Sequence, residues 1–450
     1  MKNQAFLLGA AVCLVLACTF FAGCTAPDEG PVEAPTETPT ETPAEIPTET
    51  PTVLPGETPV GTPVATERSD DVVSANALFA YDLYHSLKSD DEYAEQNLFF
   101  SPYSISTALA LTYEGAKGTT AEEIRSVFHF PADDTVRQEG YASLIAGLNR
   151  PDAAYSLSTA NALWAEETYP FLPEYIETAQ RYYAAEVRNM DFITAPDESR
   201  LTINEWVEDQ TEDRIQDLIP AGAITPLTRL VITNAIYFKG TWVLQFDENK
   251  THQAAFFTES GDSVLVDMMQ RTDDNAIYPY AETDDLQILR MPYEHESGKA
   301  LSMTVLLPKN KDITAAENAL GTTELADAVS SMKPKQVEVF FPKFTLETTY
   351  FLPDTLGAMG MPTAFGSDAD LSGMDNTRFL YITDVIHKAF VEVNEEGTEA
   401  AAATGVIVGR AVSVQEPVPV FRADHPFIFM ITDDETGMLL FMGQVADPTV

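Results

Sequence analysis

The sequence predicts an α+β fold with helices and sheets segregated along the chain, and three observations lead there. Helical periodicity dominates the early part of the globular region, and strand-like segments bounded by turn residues dominate the rest. No linker-like stretch interrupts the chain after residue 71. Helices first and strands later is not the alternating order of a doubly wound parallel sheet.

Residues 75–87 place Leu78, Phe79, Leu83 and Leu87 on one helical face. Ser101-Pro102 is a helix start, a capping hydroxyl followed by a proline at the first helical position, and predicts a second helix to about Tyr113. Thr119-Thr120-Ala121-Glu122-Glu123 predicts a third, opened by capping threonines. Strands are predicted over 230–238, 301–307, 337–341, 427–432 and 438–445. The run Phe427-Ile428-Phe429-Met430-Ile431 is apolar throughout, which predicts burial on both faces.

The N-terminal end is of a different kind. Lys2 precedes an apolar run over 5–21, short of the roughly 20 residues that span a bilayer. It ends in Phe21-Ala22-Gly23-Cys24, which resembles the lipobox of prokaryotic lipoproteins. Residues 1–23 are then a signal peptide, and Cys24 receives lipid and becomes the new N-terminus; two acyl chains suffice for stable anchoring. An ordinary signal peptide that happens to contain a cysteine is the alternative. Residues 24–70 are a Pro-, Thr- and Glu-rich linker, with near-repeats such as Pro39-Thr40-Glu41-Thr42-Pro43, biased to extended polyproline II and poor in apolar groups. The globular domain is expected over 71–450. The protein is expected outside the cell, anchored at its surface through Cys24 or released from it.

Composition excludes much. Net charge is −44, from 70 acidic and 26 basic residues, so phosphate backbones and anionic head groups are repelled. No nucleic acid partner is expected, and the membrane is reached only through the anchor. Cys13, Cys18 and Cys24 are the three cysteines, so the globular region has no disulfide and no cysteine nucleophile. There is no Gly-x-Ser-x-Gly elbow, no His-Glu-x-x-His and no phosphate-binding glycine loop, which argues against an extracellular hydrolase. The histidines His85, His129, His252, His295, His387 and His425 show no metal-ligand spacing, and neither metal nor cofactor is expected. Ser330-Ser331-Met332-Lys333 fits Ser-x-x-Lys without its companion motifs, and Asp368-Ala369-Asp370-Leu371-Ser372-Gly373 lacks the closing glutamate of a calcium loop.

The most unusual stretch is Glu395-Glu396-Gly397-Thr398-Glu399-Ala400-Ala401-Ala402-Ala403-Thr404-Gly405. Its alanines favour helix, yet the block is short, bracketed by glycine and preceded by the strand-like Ala389-Phe390-Val391-Glu392-Val393. By itself it reads equally well as a surface loop. Laid out as a strand, Thr398, Ala400, Ala402 and Thr404 share one face, small enough to slide beneath a packed layer, and Glu399 stays in water.

This stretch resembles the reactive-loop hinge of the serpins, and the resemblance extends over residues 71–450. Asn97-Leu98-Phe99-Phe100-Ser101-Pro102-Tyr103-Ser104-Ile105-Ser106 is similar to the start of that family's shutter helix. Asn234-Ala235-Ile236-Tyr237-Phe238-Lys239-Gly240-Thr241-Trp242 is similar to its strand asparagine and breach tryptophan. Phe341-Pro342-Lys343-Phe344, Val385-Ile386-His387-Lys388-Ala389 and Phe421-Arg422-Ala423-Asp424-His425-Pro426-Phe427 match further family motifs in order.

The resemblance implies about nine helices, three β-sheets and an exposed reactive-centre loop able to enter the central sheet. A target serine protease attacks the loop and forms an acyl-enzyme; the cleaved loop then inserts as a strand and distorts the protease. Glu395 and Lys343 match the salt bridge at the breach, beside Trp242. Ser101, Ser104, Asn234 and His387 match the shutter. By the family's count the scissile bond is Ala411-Val412, which implies an elastase- or subtilisin-like target. A shift of one residue gives Arg410-Ala411 and a trypsin-like target. The small hinge residues favour an inhibitory monomer over a non-inhibitory, surface-displayed binding protein, the alternative of a different class.

Overall fold

The computed structural model describes residues 65–398 and 417–450. Among them ten α-helices form: α1 (Ala65–Lys88), α2 (Pro102–Tyr113), α3 (Gly118–Val127), α4 (Asp134–Leu148), α5 (Pro173–Tyr183), α6 (Pro196–Gln210), α7 (Thr314–Ala319), α8 (Thr323–Ser330), α9 (Pro353–Met359) and α10 (Ser372–Asp375). The first strands are β1 (Leu98–Phe100), β2 (Tyr155–Glu166), β3 (Glu186–Met190), β4 (Leu230–Thr241), β5 (His252–Phe257), β6 (Ser263–Arg271), β7 (Ile277–Glu282), β8 (Leu286–Pro292) and β9 (Leu301–Pro308). The remainder are β10 (Lys333–Gln336), β11 (Glu338–Pro342), β12 (Phe344–Phe351), β13 (Ile386–Val393), β14 (Gly397–Thr398), β15 (Val420–Arg422), β16 (Phe427–Asp433) and β17 (Leu439–Val445).

Local chemistry sets the helix starts. At α2, Ser101 Oγ accepts the Ser104 amide and Pro102 occupies the first turn. At α4, Asp133 caps two amides. At α3 the threonines do not cap: the helix opens one residue earlier, at Gly118, with Lys117 before it. Thr120 Oγ1 instead accepts the Asp370 amide, so tertiary pairing takes the hydroxyl. The apolar face of α1 is Phe79, Leu83 and Leu87, all fully buried, whereas Leu78 is 47% exposed and lies off it. This helix also begins at Ala65, inside the stretch read as linker.

Three sheets result. The central one has the order β12-β13-β14-β4-β2-β3, and two others run β1-β17-β16-β9-β8-β7-β10 and β15-β11-β6-β5. As expected of its unbroken apolar run, Phe427–Ile431 within β16 is buried at every position, between β9 and β17. One large core joins the helices to the inner faces of the sheets. A second, around Trp164 and Trp206, lies under α6 on the outer face of the central sheet.

A buried charge locks the helical layer. Arg137, 1% exposed, donates to Glu114 at 2.9 and 3.1 Å, and Tyr183 donates to the same carboxylate at 2.7 Å.

Gly443 shows how tightly the sheets are packed. A Cβ there would lie 2.8 Å from the Leu98 carbonyl and 2.5 Å from the Phe429 ring. Gly443→Ala is expected to lower unfolding free energy by about 1–3 kcal/mol, the usual cost of overpacking a core; urea titration followed by tryptophan fluorescence measures it.

Candidate functional site: the entrance to the central sheet

The chain leaves β13, reverses, and enters the sheet again as β14. The reversal is built by Asn394, whose Oδ1 accepts the amides of Glu396 and Gly397 while its own amide donates to Gly397 O at 2.9 Å. Gly397 then pairs with Thr241, and Thr398 pairs with Gly240 on β4 and Val393 on β13. Only glycine fits at 397, because a Cβ would stand 2.0 Å from the Gly240 carbonyl. The first hinge residues are therefore sheet and not exposed loop: Glu395 and Thr398 are buried. Glu399, Ala400, Ala401, Ala402, Ala403, Thr404, Arg410, Ala411, Val412 and Cys24 lie outside the described residues.

Several segments converge on this entrance. The Trp242 amide donates to Glu396 O and the Phe246 amide to Glu395 O. Trp242 Nε1 donates to Asn394 O at 3.1 Å, and its ring stacks on Tyr293 at 4.4 Å. Tyr293 in turn shares a 2.8 Å hydrogen bond with Thr398 Oγ1. Lys343 Nζ stands 2.8 Å from Glu395 Oε2, and Thr251 Oγ1 donates to Oε1 at 2.7 Å. Burial works against ionisation of Glu395, but the bonds from Lys343 and Thr251 outweigh it and hold its pKa below the ordinary carboxylate value. Trp242, Lys343 and Glu395 are thus brought together. Thr251, Tyr293 and Asn394 join them without having been singled out in the sequence; only Asn394, three residues before a glycine, carried a local turn signal.

Lower in the sheet, Ser101 N donates to His387 Nε2 at 2.9 Å and Ser101 Oγ donates to Leu440 O at 2.6 Å. Ser104 joins through its amide. With Nε2 accepting, His387 is neutral, and burial lowers its pKa to about 3. Asn234 is not in this network. Its Nδ2 donates to Asn161 Oδ1, and its Oδ1 has no hydrogen-bond partner among the described residues.

The register explains the separation. β14 runs antiparallel to both neighbours, so β4 and β13 are parallel to each other. From Gly240 down to Asn234 is six residues, as from Val393 down to His387, so Asn234 and His387 stand on one level. At the top the strands are held apart by two inter-strand spacings, about 10 Å. Below Thr398 they pair neither with each other nor with any other described strand on that side. A cavity of about 460 Å³ occupies the lower part, lined by Ser104, Leu109, Ile224, Asn234, Phe379 and His387 among others. The false calcium loop is committed elsewhere: Asp370 accepts from Ser372 and pairs with Arg378 at 2.6 Å.

A family model described as "Serpin (serine protease inhibitor)" matches residues 74–448. The chain belongs to the serpin family. A serpin-like protein of Methanosarcina mazei is 43% identical over 384 residues, covering 85% of this chain and 88% of the relative. Leukocyte elastase inhibitor A of Rattus norvegicus is 39% identical over 387 residues, 83% of this chain and 99% of that one. Among solved structures, uncleaved ovalbumin superposes with a TM-score of 0.73 at 32% identity, covering 84% of this chain and all of its own. Human thyroxine-binding globulin with thyroxine gives 0.73 at 31%, covering 85% of this chain and 100% of its own. The serpin architecture of mixed helices and sheets is the one seen here, and a protease-inhibitor-type function goes with the family.

The neutral His387 fixes one pH response. Its folded pKa is depressed below the ordinary 6.5, so between about pH 3 and 6.5 the unfolded chain binds one more proton. That stability is present above pH 6.5 and is lost as pH falls, at about 1.4 kcal/mol per unit. Comparing unfolding free energies of wild type and His387→Gln from pH 7 to 4 isolates it: the wild-type curve is expected to fall more steeply by this amount.

Proposed function

We propose that this serpin inhibits serine-type proteases as a suicide substrate. The observation that carries the reading is the strand-wide opening below Thr398, already entered at its top by Gly397 and Thr398. A protease serine attacks a bait-loop carbonyl and expels the new amine, leaving an ester to the serpin. Before water hydrolyses that ester, the freed segment continues β14 downward and carries the enzyme with it.

With the same register the reading predicts a level for each inserted residue. Six residues past Thr398 is Thr404, on the level of Asn234 and His387 and, by alternation, on the inward face. There its hydroxyl meets the unpaired Asn234 Oδ1 as acceptor and the His387 ring as donor, since Nε2 is engaged by Ser101. The hinge Glu395–Lys343 pair and Trp242 hold the entrance; Ser101, Ser104, Asn234 and His387 govern the lower opening. Cleavage falls at Ala411-Val412, or at Arg410-Ala411 for a trypsin-like enzyme. The second reading, a surface-displayed binding protein, draws on the cavity and on the thyroxine complex of a structural neighbour.

Incubation with elastase, subtilisin and trypsin discriminates. An adduct that survives denaturing electrophoresis is expected, with a peptide beginning at Val412 or Ala411. Thr404→Arg is expected to abolish the adduct while leaving cleavage intact, because a buried guanidinium has no counter-charge at that level. Cleavage of wild type with no adduct and no rise in thermal stability sinks inhibition.

Export and anchoring through Cys24 are proposed as well. The sequence motif and the apolar run before it support them. In a bacterial or archaeal host that processes lipoproteins, the wild-type chain is expected in the membrane fraction and Cys24→Ser in the soluble extracytoplasmic fraction. Equal partition of the two overturns the anchor.

A further inference from the structure

The opening is bridged on its outer face. After α6 the chain doubles back, and Ile215, Leu218 and Ile219 pack into the outer core together with Val231 of β4 and Ile386 of β13. One residue earlier, the Arg214 guanidinium sits over the Phe390 ring of β13, 5.2 Å from its centroid. The Tyr237 hydroxyl of β4 lies beside Arg214 and is 3.5 Å from Glu212. Lys388 of β13 donates to Gln216 O at 3.1 Å.

These contacts fall on successive levels of the register. Tyr237 and Phe390 both lie three residues below the Thr398 rung, the level of residue 401; Lys388 lies at 403 and Ile386 at 405. Thr398 faces inward, so in a strand continued from it residues 399, 401, 403 and 405 would face outward, toward the bridging segment. In sequence these are Glu399, Ala401, Ala403 and Gly405. Glu399 stands above the bridge, and at the three bridged levels, 401, 403 and 405, the outward residue is alanine or glycine.

We propose that Arg214 is a positioning residue for strand insertion: with Gln216 it roofs the slot and sets the size limit on the outward face of the entering segment. This rests on the inhibitory reading above. Insertion beneath the roof requires the Arg214–Phe390 contact to yield, and a bulky residue at 401 meets the guanidinium directly.

The test uses the intact chain, nicked in the bait loop by a metalloprotease, which forms no acyl-enzyme and so separates insertion from trapping. The three tryptophans report it, Trp242 at the entrance, Trp164 beneath α6 and Trp206 on α6 itself. Arg214→Ala is expected to speed the fluorescence change by about two- to fivefold, the worth of an exposed cation–π contact. Ala401→Leu is expected to slow it by roughly tenfold or more, and Arg214→Ala in the same chain to recover most of that loss. An Ala401→Leu effect of equal size in both backgrounds overturns the roof, as does an Arg214→Ala variant no faster than wild type. Failure of nicked wild type to change at all overturns the inhibitory reading and the roof together.

Discussion

The central sheet depends on one rung, Thr398 between Gly240 and Val393. A two-residue strand contributes few hydrogen bonds of its own, yet it fixes the spacing and register of the strands on either side. Backbone amides and carbonyls along an interior edge are obligatory hydrogen-bonding groups, and a sheet normally pairs them. Among the described residues, β4 and β13 extend well below the rung without pairing across the gap. The polar imbalance is visible in the side chains too, in the unpaired Asn234 Oδ1 opposite a neutral His387. A strand continued from Thr398 would supply both deficits at once, and the proposed insertion draws on that.

What keeps the strands apart is packing on their faces. β4 is held by eleven-fold pairing to β2 through the register from Tyr155–Gly240 to Ala165–Leu230, and β13 by β12 from Phe344–Val393 to Phe351–Ile386. Each pair is then fastened to a different support. Trp164 Nε1 donates to Thr233 beneath α6, whereas the Tyr350 hydroxyl of β12 accepts the Phe99 amide of β1. The opening is thus the seam between two well-packed halves, and the residues at its top and on its outer face are the ones that span it. With no cysteine in the globular region, noncovalent contacts alone decide how far the seam opens.

Much of this was legible in sequence where the signal is local. The α2 cap, the apolar β16 and the small-residue hinge are each written in a few adjacent residues. Leu78 and the threonines of α3 misled because periodicity and cap preference are weak beside tertiary partners: Leu78 turns outward, and Thr120 serves the Asp370 amide. The family resemblance supplied Lys343, Trp242 and the shutter residues, which no spacing rule finds. Tyr293 and Thr251 escaped both routes, since their part is visible only once segments more than a hundred residues apart meet at Glu395 and Thr398. Nor does sequence say whether Asn234 and His387 touch; that is a property of the spacing between two strands, not of either residue.

Under the proposed insertion, the alanine run, ambiguous by propensity, answers constraints from both faces of the sheet. On the inward face, Thr398, Ala400, Ala402 and Thr404 must pass over the main core without displacing it. On the outward face, Ala401, Ala403 and Gly405 must pass beneath the segment after α6. A residue small in both directions leaves alanine, serine, glycine or threonine, and among these alanine loses no side-chain entropy on burial while retaining a backbone stiffer than glycine. Its helix preference is not a serious competitor. An isolated helix needs about 12–15 residues to be marginally stable, and glycine costs about 1 kcal/mol in a helix interior. Four alanines between Gly397 and Gly405 fall well short of that length. The glycines that break the helix also suit a strand: Gly397 allows the backbone to approach Gly240, and under the proposed insertion Gly405 would come to the level of Ile386.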